Sequence, residues 1–145
     1  MKEYSYGIIP YKFENGNVKI LLSKVSKNRT EFDFIKGKIE KNETQIECAI
    51  REVNEEISIK INKSHIEKEM FYLVSKRKNI GLFFINWDYY KNINYKLNKE
   101  LYSLTWFDYN NLPQLSKNQE KFSEIIKEKF NNYFALRFMY KFNKE

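Results

Sequence analysis

Between Glu43 and Ile57 the sequence carries two patterns at once, and together they restrict what this chain can become. Ile46, Ala49, Ile50, Val53 and Ile57 recur at helical spacing and form an apolar face. Asn42, just ahead of them, is the expected N-cap. Glu52, Glu55 and Glu56 stand at i, i+3 and i+4 and share an adjoining arc of roughly 100°. Such a helix packs one side on a sheet and presents three carboxylates along its edge. Like charges this close repel, and a cation between them removes that cost. Oxygen-rich groups of this kind suit Mg²⁺ or Mn²⁺, which take carboxylates, waters and substrate phosphates. On spacing alone, a solvated glutamate face accounts for the triplet as well as a metal site does.

The flanks supply the sheet. Tyr6 to Phe13 reads as a strand, Glu14-Asn15-Gly16-Asn17 as a turn with the Asn-Gly signal, and Val18 to Val25 as the returning strand. Glu31 to Ile35 is short and aromatic, and Lys36-Gly37-Lys38 breaks the pattern. Met70–Val74, Ile80–Trp87 and Leu104–Phe107 are further strands. Ser116 with Gln119 resembles a capping box that opens a second helix, with Phe122, Ile125, Ile126 and Phe130 on one side. Strands, helix, strands, helix is the order of an α+β or α/β sandwich with a mixed sheet.

A length of 145 residues suits one domain, 1–145. One Cys excludes a disulfide framework and a multi-Cys zinc site. No apolar run approaches the ~20 residues of a membrane span, and the first residues lack a signal-peptide apolar core. The chain therefore reads as cytoplasmic, with no membrane partner. Its net charge of +7 favours anionic partners such as nucleotides or RNA, although abundant Lys, Asn, Ile and Tyr also fit the codon bias of a low-GC genome. Gly37-Lys38 is not a P-loop, having no Gly five residues earlier and no Ser or Thr after it. His65 is the sole histidine, which excludes a His-based metal site, and it reads as a surface or loop residue. Cys48 falls within the helix and reads as a small buried residue.

From Gly37, five residues intervene before Glu43 and seven more before Arg51-Glu52; Val53, Asn54, Glu55-Glu56, Ile57, Ser58 and Ile59 follow. This spacing resembles the signature of the Nudix hydrolases, spanning 37–59, with every defined position matched except the last Gly, which is Ser58. The resemblance implies a Nudix-type α-β-α sandwich with a mixed sheet, and hydrolysis of a diphosphate linked to another moiety, with Mg²⁺ or Mn²⁺ as cofactor. It makes Glu52, Glu55 and Glu56 the metal ligands, with the Gly37 carbonyl as a further one. Arg51 orients the carboxylates, and Glu43 pairs with Arg51 to brace the box. Ser58 leaves the loop after the helix open, because Gly takes a left-handed C-cap without steric cost and Ser does not.

Glu100, six positions before Trp106, resembles the acidic loop residue that in many Nudix enzymes reaches the metal site as base or additional ligand. Phe34 to Lys38 resembles the Pro-Lys-Gly stretch before the box in dinucleoside polyphosphate hydrolases and decapping enzymes, with Ile35 in place of Pro. Lys36 and Lys38 are the candidate phosphate-binding residues. Cys48 to Val53 leans toward the decapping branch, and chain length toward the small diadenosine tetraphosphate hydrolases. A small nucleotide polyphosphate, best a dinucleoside polyphosphate, is the first substrate class. Decapping or pyrophosphohydrolysis at an RNA 5′ end is the second, and a catalytically inactive nucleotide-binding module the third. Nucleotide sugars, ADP-ribose and oxidised nucleotides stay open. Tyr6, Tyr72, Phe83 and Tyr109 are candidate base-stacking residues. The aromatic and basic segment from Tyr133 to Phe142 either stacks on RNA or a partner or ends the last helix. Oligomeric state is open, and a monomer fits.

Overall fold

The first pairing is set by the Asn-Gly turn. Asn15 and Gly16 both take positive φ, 53° and 77°, the combination that suits the twist of a tight hairpin. Strand β1 (Glu3–Glu14) therefore folds back as β2 (Asn17–Lys24), with Tyr11 opposite Ile20 and Glu14 opposite Asn17. The computed structural model describes residues 1–117 and 119–144, and side chains as far as residue 141. Strands β3 (Ile35–Lys38), β4 (Ile66–Val74), β5 (Lys78–Asn86) and β6 (Ser103–Asp108) complete the sheet. Its order is β4-β5-β1-β2-β6, with β3 on β1. β1 runs parallel to β5 and antiparallel to β2 and β3. Its Ser5–Ile8 half bonds β3 and its Tyr11–Glu14 half bonds β2.

Two helices cover the sheet. Period-two alternation along the central strands sends neighbours to opposite faces. Ile8, Leu21, Phe83 and Ile85 join Ala49, Val53 and Ile57 of α1 (Gln45–Ile57) in one core. Ile9, Leu22, Leu82 and Phe84 join Phe122, Ile126 and Phe130 of α2 (Glu120–Lys144) in the other. Burial of Val53 and Ile57 contributes about 1.5–3 kcal/mol each. The result is the expected mixed sheet between helices. No helix among the described residues is long and apolar enough to cross a membrane.

The local chemistry corrects four expectations. Asn42 does not cap α1: it turns with φ 64°, and Thr44 caps instead. The Thr44 hydroxyl accepts from the Glu47 N–H at 3.1 Å, and the Glu47 carboxylate accepts from the Thr44 N–H at 2.8 Å. This reciprocal box satisfies two end donors, which a lone Asn does not. It starts the helix at Gln45 and leaves Glu43 free in the preceding loop. Lys36-Gly37-Lys38 does not break the sheet but pairs as β3 with Ser5–Gly7. Trp87 opens a 3₁₀ turn, Trp87–Tyr90, once the Asn86 side chain caps the Asp88 N–H. At the last helix, the Ser116 hydroxyl donates to the Phe32 carbonyl at 3.3 Å, and α2 begins only at Glu120; Asn118, within the expected capping segment, lies outside the described residues. Phe142, at the end of the aromatic and basic segment, lies outside those whose side chains are described.

Ser58 ends α1 in the left-handed conformation, φ 60° and ψ 35°, its N–H donating to the Asn54 carbonyl at 3.0 Å. The backbone thus keeps the geometry a glycine would take, at a steric cost of about 1 kcal/mol. Ser58→Gly is therefore expected to raise unfolding free energy by about 0.5–1 kcal/mol in urea titrations, and Ser58→Val to lower it. A loss of stability in Ser58→Gly would contradict this reading of the cap. Burial pushes the Cys48 thiol up to about 12. A thiol reagent at neutral pH is expected to label it at the rate of unfolding, in step with loss of circular dichroism; fast labelling of the folded protein would show the packing of α1 on β3 to be wrong.

Candidate functional site

The site begins where α1 crosses β3. A Cβ at Gly37 would lie 2.0 Å from Glu52 Cδ, so only glycine lets the Glu52 carboxylate rest on this strand. The Gly37 carbonyl accepts a weak bond from the Cys48 thiol at 3.4 Å. Arg51, the preceding residue, holds the surrounding oxygens. Its Nε and Nη2 donate to both oxygens of Glu43, at 2.6 and 3.0 Å. Nη2 also donates to the Lys38 carbonyl at 2.8 Å, and Nη1 to Glu52 at 2.8 Å and Glu55 at 3.2 Å. The guanidinium fork matches a carboxylate bidentately, and the pair holds Glu43 below the ordinary carboxylate range. The same pairing raises Arg51 further.

Glu56 is the exception in this network. Its Oε2 is buried and has no hydrogen-bond partner. Burial, then the charge of Glu52, pushes its carboxyl up to about 8; Lys36 opposes the shift, while Asp33 and Glu100 add to it. Burial also raises Glu52, against the pull of Arg51. Among the described residues no three acidic, His or Cys side chains converge as a closed metal cluster, and Arg51 occupies one oxygen each of Glu52 and Glu55. The donor set nevertheless fits a hard cation. A buried oxygen without a partner, beside a second half-buried carboxylate and an exposed third, is the chemistry that Mg²⁺ or Mn²⁺ satisfies.

The loop from residue 91 to 102 closes the other end. Lys96 and Asn98 donate backbone N–H groups to the carbonyls of Ile57 and Glu56, both at 2.9 Å. The Asn98 amide donates to the Glu55 carbonyl at 3.2 Å. The Asn98 side-chain oxygen in turn accepts from the Glu100 N–H at 2.9 Å. This chain of bonds ties the backbone at Glu100 to the end of α1, and the Glu100 charge adds the smallest of the contributions that disfavour ionisation of Glu56. Asn98 and Asp33 escaped the sequence reading because neither has a periodic or motif signal.

The two lysines have other partners. Lys36 is buried, 7% exposed at its side chain, and donates to Asp33 at 2.7 Å. Lys38 is exposed and pairs with Glu3 at 2.9 Å. Phe83 and Tyr109 are core residues. Tyr6 and Tyr72 stack with centroids 6.5 Å apart, Tyr72 at the surface. His65 lies flat on Tyr89, centroids 3.8 Å apart, with Nδ1 2.7 Å from the Tyr90 hydroxyl. On α2, Leu136, Phe138 and Met139 are exposed.

The profile of the NUDIX domain matches residues 1–128. The mRNA decapping complex subunit 2 of Schizosaccharomyces pombe is 28% identical over 120 residues, which is 82% of this chain but 16% of that protein's length. An Ap4A hydrolase from C. elegans, in a binary complex, superposes with a TM-score of 0.62 and 20% identity, covering 92% of this chain and 98% of its own. A NUDIX hydrolase from Nitrosomonas europaea gives a TM-score of 0.68 and 20% identity over 90% of this chain and 73% of its own.

The raised Glu56 carboxyl has a signed consequence. Between about pH 4.5 and 8 the folded chain holds a proton that the unfolded chain has lost, so this group's contribution to stability falls as pH rises through that window. Without divalent cation, Glu56→Gln is expected to be more stable than the parent at pH 8.5, by roughly 1–3 kcal/mol, and nearly equal to it at pH 5. Urea titrations at the two pH values check this; an equal difference at both would remove the buried-carboxylate account.

Proposed function

Because this chain belongs to the NUDIX domain family, as an enzyme that hydrolyses phosphorus-containing anhydrides, we propose that it is a Mg²⁺- or Mn²⁺-dependent hydrolase of a nucleotide polyphosphate. The observation that carries this reading is the Glu56 Oε2, a buried oxygen without a hydrogen-bond partner, beside Glu52 at the Gly37 strand. Keeping such a group costs stability, and a structural role offers nothing in return.

Glu52, Glu55 and Glu56, with the Gly37 carbonyl, would hold the divalent cation. When bound, that cation draws charge from phosphate oxygens and acidifies water. Arg51 keeps Glu52 and Glu55 on one side of the helix, and Glu43 keeps Arg51 there. Glu100, on the loop that bonds to the end of α1, would serve as the base that takes a proton from water or as an additional ligand. Lys36 and Lys38 give positive charge beside the phosphate path, each after exchanging its present carboxylate partner. The retained Glu52, Glu55 and Glu56 argue against an inactive binding module.

A dinucleoside polyphosphate is the substrate this reading favours. Likeness to the C. elegans protein spans nearly the whole of both chains; we propose with it a single catalytic unit across 1–145, acting in the cytoplasm. Hydrolysis at an RNA 5′ end is the second reading, favoured by the sequence similarity to the decapping subunit and by the charge of +7. Both are tested in one assay with Mg²⁺, diadenosine tetraphosphate in one tube and cap-labelled RNA in the other. Release of ATP and AMP is expected, falling about 10²-fold or more in Glu56→Gln. Unchanged turnover in Glu56→Gln would refute the role of Glu56, and release of cap nucleotide alone would move the substrate to RNA.

A further inference from the structure

A cleft of about 530 Å³ opens beside the 3₁₀ turn Trp87–Tyr90 and the residue 91–102 loop that follows it, lined by Lys12, Trp87, Asp88, Lys91, Tyr95 and Trp106 among others. This volume suits one small-molecule moiety. Trp87 is buried, Trp106 half-buried, and Tyr95 half-exposed at the rim. Lys12 lies 4.4 Å above the Trp106 ring and pairs with Glu14 at 2.8 Å. Lys91 and Asp88 are exposed at the mouth.

The walls are flat and aromatic, and two ammonium groups outnumber one carboxylate among the named lining residues. A ring with an anionic tail answers both features: the ring stacks on Tyr95 or Trp106, and the tail meets Lys12 and Lys91. The Asp88 carboxylate is free to accept from a ring amino group or a sugar hydroxyl. The same loop links this cleft to the C-terminal end of the helix that carries the glutamates. Three residues past Tyr95, Asn98 is bonded to the carbonyls of Glu55 and Glu56, a distance of at most about 11 Å along the chain.

We infer that this cleft is the subsite for a nucleoside end of the polyphosphate, with its phosphates running along the loop toward Glu52, Glu55 and Glu56. The inference rests on the nucleotide reading above and adds where the base sits. Trp87 and Trp106 are the chain's two tryptophans, so their emission reports on this cleft.

The test uses the full chain carrying Glu56→Gln, in chelator without divalent cation, titrated with ATP, diadenosine tetraphosphate, adenosine and inorganic tripolyphosphate. The two nucleotides are expected to change tryptophan emission saturably, and tripolyphosphate to leave it unchanged. Adding Tyr95→Ala is expected to weaken ATP binding about tenfold. Lys91→Glu is expected to weaken ATP but not adenosine, and circular dichroism to be unchanged in both. No saturable change with ATP, or a change insensitive to both substitutions, overturns the subsite. If the parent still hydrolyses the polyphosphate with Mg²⁺, only the subsite fails. Saturable, substitution-sensitive binding without any hydrolysis by the parent keeps the subsite and overturns the hydrolase reading.

Discussion

The guanidinium of Arg51 is the interaction on which the rest of the site depends. Its donors reach Glu43, Glu52, Glu55 and the Lys38 carbonyl, so it ties the loop before the helix, the strand beneath it and the helix edge to one point. Arginine does this and lysine does not, because a planar fork addresses several oxygens in fixed directions. Like charges on one helix arc would otherwise push apart. Glu43 is available for this pairing only because Thr44, not Asn42, takes the cap and starts the helix after it.

The same arrangement separates the glutamates by environment. Glu43 is held ionised by its bidentate partner. Glu55 is exposed. Glu52 is pressed onto Gly37, and Glu56 is half-buried with one buried oxygen unpaired. A protein that needed only a stable helix would place an apolar residue at position 56. The stability given up there is consistent with a site that is completed by a cation, and Lys96 and Asn98 bond the last carbonyls of α1 to the 91–102 loop.

Much of this was legible in the sequence, for reasons tied to particular residues. Asn15-Gly16 fixed one hairpin, because few other pairs tolerate two positive φ angles. The box spacing, through its family resemblance, singled out the carboxylates and Arg51, and the helix brings Arg51 against Glu52 and Glu55. The cap was misread because Asn42 and Thr44 are both good caps in isolation, and only the return bond from Glu47 distinguishes them. β3 was hidden because its residues, Ile-Lys-Gly-Lys, lack a strand's composition; the pairing comes from β1, and the glycine serves Glu52. Lys36 reads as a candidate phosphate contact because sequence does not show that Asp33 folds back onto it. Long-range contacts of this kind, like the approach of Asn98 to α1, belong to the tertiary structure and leave no local trace.

The most direct test of the central account is a Mn²⁺ titration of the cation-free protein, followed by the electron paramagnetic resonance of the free ion. The account predicts saturable binding that is lost in Glu52→Gln while the helix content of that variant is unchanged. Binding that survives intact in Glu52→Gln, or no binding by the parent chain, would contradict the claim that these glutamates are held together for a divalent cation.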